Sequence, residues 1–348
     1  MSKPTWTKRL VLSFYNTMPV LSYLVFWRFR RGLPPAVGTW YNIAMDKPQA
    51  NIGAKTRAIG DHRRQWRDCL YVYPVLSRRA RGLSIGVNIN PDKRCSFGCL
   101  YCQVDRHIRR NLDHVDLDTL GAELKLALDA AACGEIWDEP RFADVPPEMR
   151  RINDIAFSGD GEPTSKAEFD KAVKIAADAK AASHLPNVKI VVITNSAHLH
   201  SPQVARALPL LDANNGEIWA KLDAGTQARL DTVNRPRPAR LLADIVDGIT
   251  AVARERAVVI QTLFFRIDGL GPDRAEVSAY TDRLREILDG GGLIRLVQVH
   301  TIARSPLSPS ASSLPDEQLD ALADTVRQAV PEVPVEAYYG TDAKPQRP

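Results

Sequence analysis

Short apolar runs rich in Val and Ile alternate along this chain with longer segments whose apolar positions recur at helical spacing. The runs predict strands at residues 83–90, 154–158, 188–194, 217–222, 258–265 and 293–302, with a short last strand at 333–338. Helices are predicted at 117–132, 165–182, 202–211, 238–254, 273–288 and 315–330. Apolar strands separated by helices imply βα units and a parallel sheet. Six such units predict an α/β fold, a partial (β/α)6 TIM-type barrel with its chemistry at the C-terminal strand ends, where full barrels place theirs. The expected organisation is an N-terminal extension at 1–60, the barrel at 61–312, and a C-terminal helix and strand extension at 313–348. There is no internal repeat, and the Ser/Pro-rich stretch 305–315 reads as a loop.

The extension carries turn signals at Gly32-Leu33-Pro34-Pro35 and Gly53. Residues 10–27 form the one membrane-like stretch, interrupted by Asn16, Thr17, Pro19 and two serines, and marginal for a span of about 20 apolar residues. No small-residue cleavage site follows it, since Trp27-Arg28-Phe29-Arg30 comes next. A peripheral, surface-associated helix is the expectation, so membrane association stays open. Met45 is an alternative initiator, because it opens a polar segment leading into the later motifs.

At 348 residues, 45% hydrophobic and 25% charged, the composition is that of an ordinary globular protein. The net charge of +5 hides an asymmetry. Residues 1–110 hold 20 Lys+Arg against 5 Asp+Glu, a balance of +15, which leaves −10 for the remainder. A basic N-terminal third can meet a phosphorylated or nucleic-acid substrate, or can be a solvated surface with no polyanion partner.

The most specific chemistry lies just past the first barrel strand, in Arg94-Cys95-Ser96-Phe97-Gly98-Cys99-Leu100-Tyr101-Cys102. The C-x3-C-x2-C spacing puts three thiolates on one short loop. Three thiolates can hold three irons of a [4Fe–4S] cluster and leave the fourth open to an exchangeable ligand. His107 offers a second reading, a Cys3His zinc site with Cys95, Cys99 and Cys102. Five cysteines, three of them clustered, exclude a disulfide framework. Cys133 is expected to be a buried helix residue.

One βα unit later comes Ser158-Gly159-Asp160-Gly161-Glu162-Pro163-Thr164. Its glycines let backbone carbonyls approach a ligand closely, where they can accept from an ammonium group. The same string also suits a plain turn before a helix. The third strand ends in Thr194-Asn195-Ser196 and the fourth in Lys221-Leu222-Asp223, both polar at the rim. Arg235 and Arg237 follow in a loop, and Arg304 ends the sixth strand; guanidinium forks suit an anionic substrate. His300 can relay a proton or be an ordinary polar group. Gln261 and Thr262 are further candidates.

The cysteine loop, with Tyr101 before its last cysteine, resembles the radical S-adenosylmethionine (SAM) superfamily, and the Gly161-Glu162-Pro163 run strengthens the likeness. The phrases around residues 71–79, 102–106, 158–164 and 234–236 resemble a bacterial branch related to the wybutosine-synthesis (4-demethylwyosine synthase-like) enzymes, which act on tRNA. The resemblance implies a [4Fe–4S] cluster on Cys95, Cys99 and Cys102, with SAM as the exchangeable ligand. It implies SAM contacts from Tyr101, from Gly159, Asp160, Gly161, Glu162 and Pro163, and from Thr194 and Asn195. It further implies that Lys221 pairs with the SAM carboxylate, Asp223 with a hydroxyl, and that Val299 packs on adenine. Asp160 stands where the family has a glycine. A second three-cysteine cluster, which archaeal relatives use, is not available here, since Cys69 is the one cysteine upstream.

The implied activity is reductive cleavage of SAM to a 5′-deoxyadenosyl radical that abstracts hydrogen from a substrate, with His300 and Arg304 as catalytic candidates. The implied partners are an external one-electron reductant of flavodoxin or ferredoxin type and an anionic substrate such as tRNA. An oxygen-sensitive cluster implies the reducing cytoplasm. Two other readings remain beside it: a zinc-stabilised RNA-binding protein, and a SAM-binding barrel without turnover.

Overall fold

The computed structural model describes residues 66–77, 79, 82–107, 112 and 114–340. The apolar stretch at 10–27, Met45 and the rest of the 1–60 extension lie outside the described residues. Among the described residues no helix is long and apolar enough to cross a membrane.

Seven parallel strands run β2 (Gly82–Val87), β3 (Ile152–Phe157), β4 (Lys189–Thr194), β5 (Gly216–Lys221), β6 (Val258–Leu263), β8 (Ile294–His300) and β10 (Val335–Tyr338). An eighth, β1 (Val72–Ser77), pairs antiparallel with β2 at the edge. The sheet order is β1-β2-β3-β4-β5-β6-β8-β10, curled into a half-barrel. Connecting helices are α1 (Leu117–Ala132), α2 (Phe169–Ala182), α3 (Pro202–Asp212), α4 (Gln227–Val233), α5 (Leu242–Glu255), α6 (Arg274–Asp289) and α7 (Asp316–Ala329). A two-stranded ribbon, β7 (Arg266–Ile267) with β9 (Ala311–Ser312), joins the loops after β6 and β8.

The helices start where local chemistry supplies caps. Asp116 accepts from the backbone N–H groups of Asp118 and Thr119 at the start of α1, Asp273 accepts from Glu276 N–H in α6, and Pro202 opens α3. The strands are apolar on both faces for different reasons. Ile155, Phe157, Ile190, Val192, Ile218, Ile260, Val297 and Val299 face the helices and join one large core. The alternate residues Ala156, Val191, Trp219 and Val259 form a separate small cluster. That alternation follows from the two-residue period of a strand. It puts one set of side chains under the helices and the other on the concave face.

Several features depart from the sequence-based expectation, among them β9 inside the stretch 305–315 expected to be a loop, and α2, expected from 165, which begins at Phe169. Residues 72–77 form a strand although Pro74 interrupts the run; an edge strand tolerates a residue without an N–H. A short helix, α4, precedes the helix expected at 238–254, which itself begins at Leu242. Cys133 is not buried: it is the exposed C-cap of α1.

The edge strand is tied down by a side chain. Glu123 of α1, 9% exposed, accepts from the backbone N–H of Leu70 (2.7 Å), Tyr71 (2.8 Å) and Val72 (3.0 Å). One carboxylate thus satisfies three donors as the chain enters β1. Glu123→Ala leaves those donors unpaired and is expected to cost about 3 kcal/mol of unfolding free energy, measured by urea titration. A loss under about 0.5 kcal/mol, the range of ordinary surface changes, would contradict this role.

Candidate active site

The concave-face residues and the loops at the C-terminal strand ends enclose a cavity of about 310 Å3. Cys95, Cys99 and Cys102 lie on its wall together with Tyr101, Gly159, Gly161, Glu162, Asn195, Lys221, His300 and Arg304. The sheet brings these together from strand ends far apart in sequence.

The cysteine loop is held by backbone bonds to the loop after α4. Gly98 N–H donates to Asn234 O (3.0 Å), Leu100 N–H to Val233 O (2.8 Å), and Arg237 N–H to Ser96 O (2.7 Å). Arg235 and Arg237 themselves are exposed and away from the cavity wall. Their loop is a brace for the cysteines. On the other side, a Cβ on Gly161 would stand 2.1 Å from Arg94 O, so glycine permits the two loops to touch. That close approach is one reason for a glycine here, and Gly161 also lies on the cavity wall. Asp160 is taken up by Asn88, whose Nδ2 donates to Asp160 Oδ2 (2.8 Å) while Oδ1 accepts from Asp160 N–H (3.1 Å).

Glu162 is 2% exposed, and its carboxylate is fully engaged. Oε1 accepts from Thr164 Oγ1 (2.5 Å), Thr164 N–H (3.1 Å) and Thr194 Oγ1 (2.7 Å); Oε2 accepts from Asn195 N–H (2.6 Å). Burial pushes its pKa up, and these donors pull it down. Pro163 and Thr194 are buried beside it and off the cavity wall.

Tyr101 is fixed by residues at and just past the ends of β5 and β6. Its hydroxyl donates to Asp223 Oδ2, its ring meets Phe265 edge-on at 5.7 Å, and Lys221 Nζ lies 5.6 Å from the ring centroid. Asp223 Oδ2 also accepts from Asn234 Nδ2 (3.0 Å), and Oδ1 accepts from Leu263 N–H (2.9 Å). Both oxygens of Asp223 therefore serve protein donors, and the hydroxyl it engages is that of Tyr101. Val299 does not reach the cavity: its strand parity points it into the helix-side core, where it is fully buried. Thr262 shares that fate, bonded to Leu222 O and Tyr280, whereas Gln261 lies on the cavity wall with Oε1 unpartnered.

Each thiol meets N–H donors. Val104 N–H (3.4 Å) and Arg106 Nη2 (3.5 Å) point at Cys102 Sγ, and Asn234 Nδ2 (3.6 Å) points at Cys99 Sγ. Burial pushes the Cys99 thiol up to about 12 and the Cys95 thiol upward as well, with the Phe97 backbone N–H opposing at Cys95. Desolvated thiolates need positive charge brought to them. Among the described residues no three His, Cys, Asp or Glu side chains gather closely enough to hold a single ion, and His107 is exposed away from the cavity. A cluster asks each thiolate to reach a different iron around a shared cavity. Three thiols on one cavity wall, with N–H donors aimed at sulfur, fit that demand better than a tetrahedral Cys3His site.

Several wall residues were not foreseen. Tyr73, Arg79, Ser84, Asp154, Trp219 and Arg106 all line the cavity. The signal for the strand-borne ones was parity: Ser84, Asp154 and Trp219 occupy the concave set that Ala156 and Val191 mark as internal. Deep in the cavity, Ser84 Oγ donates to Asp154 Oδ1, and the Arg79 guanidinium lies 5.6 Å from the Trp219 ring.

No protein-family model matches the chain. It is 27% identical over 183 residues to a UPF0026 protein of Methanocaldococcus jannaschii, covering 51% of this chain and 48% of that protein. It is 23% identical over 250 residues to a protein named GTPase Obg of Brachyspira hyodysenteriae, covering 71% of this chain and 32% of that one. The chain thus spans about half of the first relative's length and about a third of the second's. The G-x4-G-K phosphate loop of P-loop GTPases does not occur in it. Among solved structures, the fold is that of a radical SAM methyltransferase from Sphaerobacter thermophilus, with a TM-score of 0.55 at 16% identity over 78% of this chain and 70% of that one. TYW1 with a lysine-pyruvate adduct bound aligns at a TM-score of 0.45 and 14% identity, covering 72% of this chain and 74% of that one.

Burial pushes the Asp154 carboxyl up to about 6, against the opposing pull of Ser84, Arg79 and Lys189. The folded chain therefore holds this proton more tightly than the unfolded chain does. Its contribution to stability is full below the ordinary aspartate range and is lost as pH rises through about 6. Relative to Asp154→Asn, the native protein is expected to lose on the order of 2–3 kcal/mol between about pH 4 and about pH 7. Denaturant unfolding of both at each pH checks this; a gap that does not change with pH would exclude it.

Proposed function

We propose that this chain is a radical SAM enzyme: Cys95, Cys99 and Cys102 hold a [4Fe–4S] cluster, and SAM completes it. The observation that carries this is the loop itself, three thiols with N–H donors on the wall of one cavity at the C-terminal ends of a curled parallel sheet. Bound there, cluster and SAM supply a 5′-deoxyadenosyl radical by one-electron cleavage of the sulfonium C–S bond, releasing methionine. A flavodoxin or ferredoxin type of reductant would supply the electron, and the substrate would give up a hydrogen atom.

The protein's part is positioning and exclusion of water. Glu162 holds the ends of β3 and β4 in register, so that the Gly161-Glu162-Pro163 turn and Asn195 present their backbone to the ammonium end of SAM. Lys221 offers a cation to its carboxylate. Tyr101, locked by Asp223, forms a fixed wall beside the cysteines. The concave apolar residues Ala156, Val191 and Trp219 keep the interior dry below the rim. His300 and Arg304, at the mouth, suit an anionic substrate, for which tRNA is one candidate given the basic N-terminal third. The reducing cytoplasm suits such a cluster.

The test is anaerobic reconstitution with iron and sulfide, reduction with dithionite, addition of SAM, and chromatographic assay of 5′-deoxyadenosine. The native chain is expected to form it. Cys99→Ala is expected to lose both the iron–sulfur absorption and the product while keeping its circular dichroism. Native levels of both in Cys99→Ala would sink the assignment, and a protein that takes up zinc alone would move the zinc reading to the front.

A further inference from the structure

Arg106 lies four residues past Cys102, on the cavity wall, and its guanidinium reaches three parts of the site at once. Nη1 donates to Lys93 O (2.5 Å) and to Asp160 O (2.7 Å), and Nη2 donates to Cys102 Sγ (3.5 Å). Lys93 is the tight turn two residues before Cys95, with φ 60° and its N–H bonded to Asn90 O (2.9 Å). A non-glycine residue at positive φ is held by its surroundings. Next to it, buried Asp92 pairs with Lys166 at 2.8 Å, so the entry to the cysteine loop is braced from both flanks. Asp160 is the residue just before Gly161-Glu162-Pro163. One planar cation therefore joins the entry of the cysteine loop, its last sulfur, and the turn assigned to SAM.

We propose that Arg106 is a positioning residue that couples the cluster to SAM, fixing the Asp160 carbonyl against the cysteine loop while setting the charge beside the Cys102 sulfur. This rests on the function proposed above. Two consequences follow from different properties of the side chain. Its charge and its N–H at sulfur favour the reduced, more negative cluster, and so raise the reduction potential. Its forked geometry reaches two carbonyls and a sulfur together, which an ammonium on a flexible stem does not reproduce. Charge and geometry can therefore be separated by substitution.

The experiment uses the full chain, reconstituted anaerobically, as native protein, Arg106→Lys and Arg106→Gln. Iron and sulfide content, midpoint potential by redox titration followed by electron paramagnetic resonance, and SAM affinity by calorimetry are measured on each. At native iron content, Arg106→Gln is expected to show a more negative potential and about tenfold weaker SAM binding. Arg106→Lys is expected to return the potential toward the native value while SAM binding stays weak. Native potential and native SAM affinity in Arg106→Gln would overturn the proposal. Native affinity in Arg106→Lys would overturn the bridging half of it. Should Arg106→Gln take up no iron, Arg106→Lys decides alone. Iron loss in both variants, with native melting of the iron-free proteins, would make Arg106 a requirement for cluster uptake and overturn the coupling. A native protein that takes up no iron or binds no SAM instead overturns the function proposed above, before either variant is measured.

Discussion

The arrangement at the rim depends on one buried carboxylate. Taking a carboxylate out of water costs several kcal/mol unless hydrogen bonds replace its hydration. Glu162 meets that condition with four donors, two from the turn that follows it and two from the end of β4. None of these donors is a cation, so the price of burial is met by geometry alone. The ends of β3 and β4 must therefore stand at one spacing and one rotation. Asn195, positioned by that bond, donates from Nδ2 to Ser96 Oγ (3.0 Å), which carries the constraint into the cysteine loop. A single acidic side chain thus ties two strand ends to the segment that bears the thiols.

What the strands offer the cavity follows from parity. On β5, Trp219 and Lys221 face inward and Ala220 outward; on β3, Asp154 and Ala156 face inward while Ile155 and Phe157 face the helices. The result is a layered interior. Cations and thiols sit at the rim, an apolar band from Ala156, Val191 and Trp219 lies beneath, and Ser84, Asp154 and Arg79 form a polar group deeper in. The apolar band separates two polar regions, so a charge placed in the deep region is desolvated. The elevated Asp154 carboxyl is the direct consequence.

Much of the scaffold was legible because its signal is periodic. The parallel strands and most helices follow from apolar patterning, and α1 coincides with its expected bounds at both ends. The three thiols were legible from spacing. What escaped was whatever depended on a contact between distant segments. Strand β1 reads as a basic, aromatic stretch until β2 is seen beside it. Val299 was placed in the cavity because its strand was right while its face was not, and a one-residue difference in parity reverses a side chain's environment. Asp223 is engaged by Tyr101, Asn234 and Leu263, partners that no local pattern announces. Arg106 lay in a run that carried the family likeness, but nothing in that run says that its side chain folds back onto Lys93 and forward onto Asp160.

These contacts bear on whether the cysteine loop needs a metal to hold its shape. In small metal-stabilised domains the ligands are the framework, and binding free energy is folding free energy. Here the cysteine loop is shaped by bonds that do not pass through sulfur: Gly98 and Leu100 to the loop after α4, Ser96 to Arg237 and Asn195, and Gly161 pressed against Arg94. The thiols are then displayed on a framework already closed behind them. Their desolvation raises the cost of the thiolate form, at Cys99 most clearly. The cavity that the three thiols face is therefore shaped by the protein's own hydrogen bonds, from the loop after α4, from Asn195 and from the contact of Gly161 with Arg94.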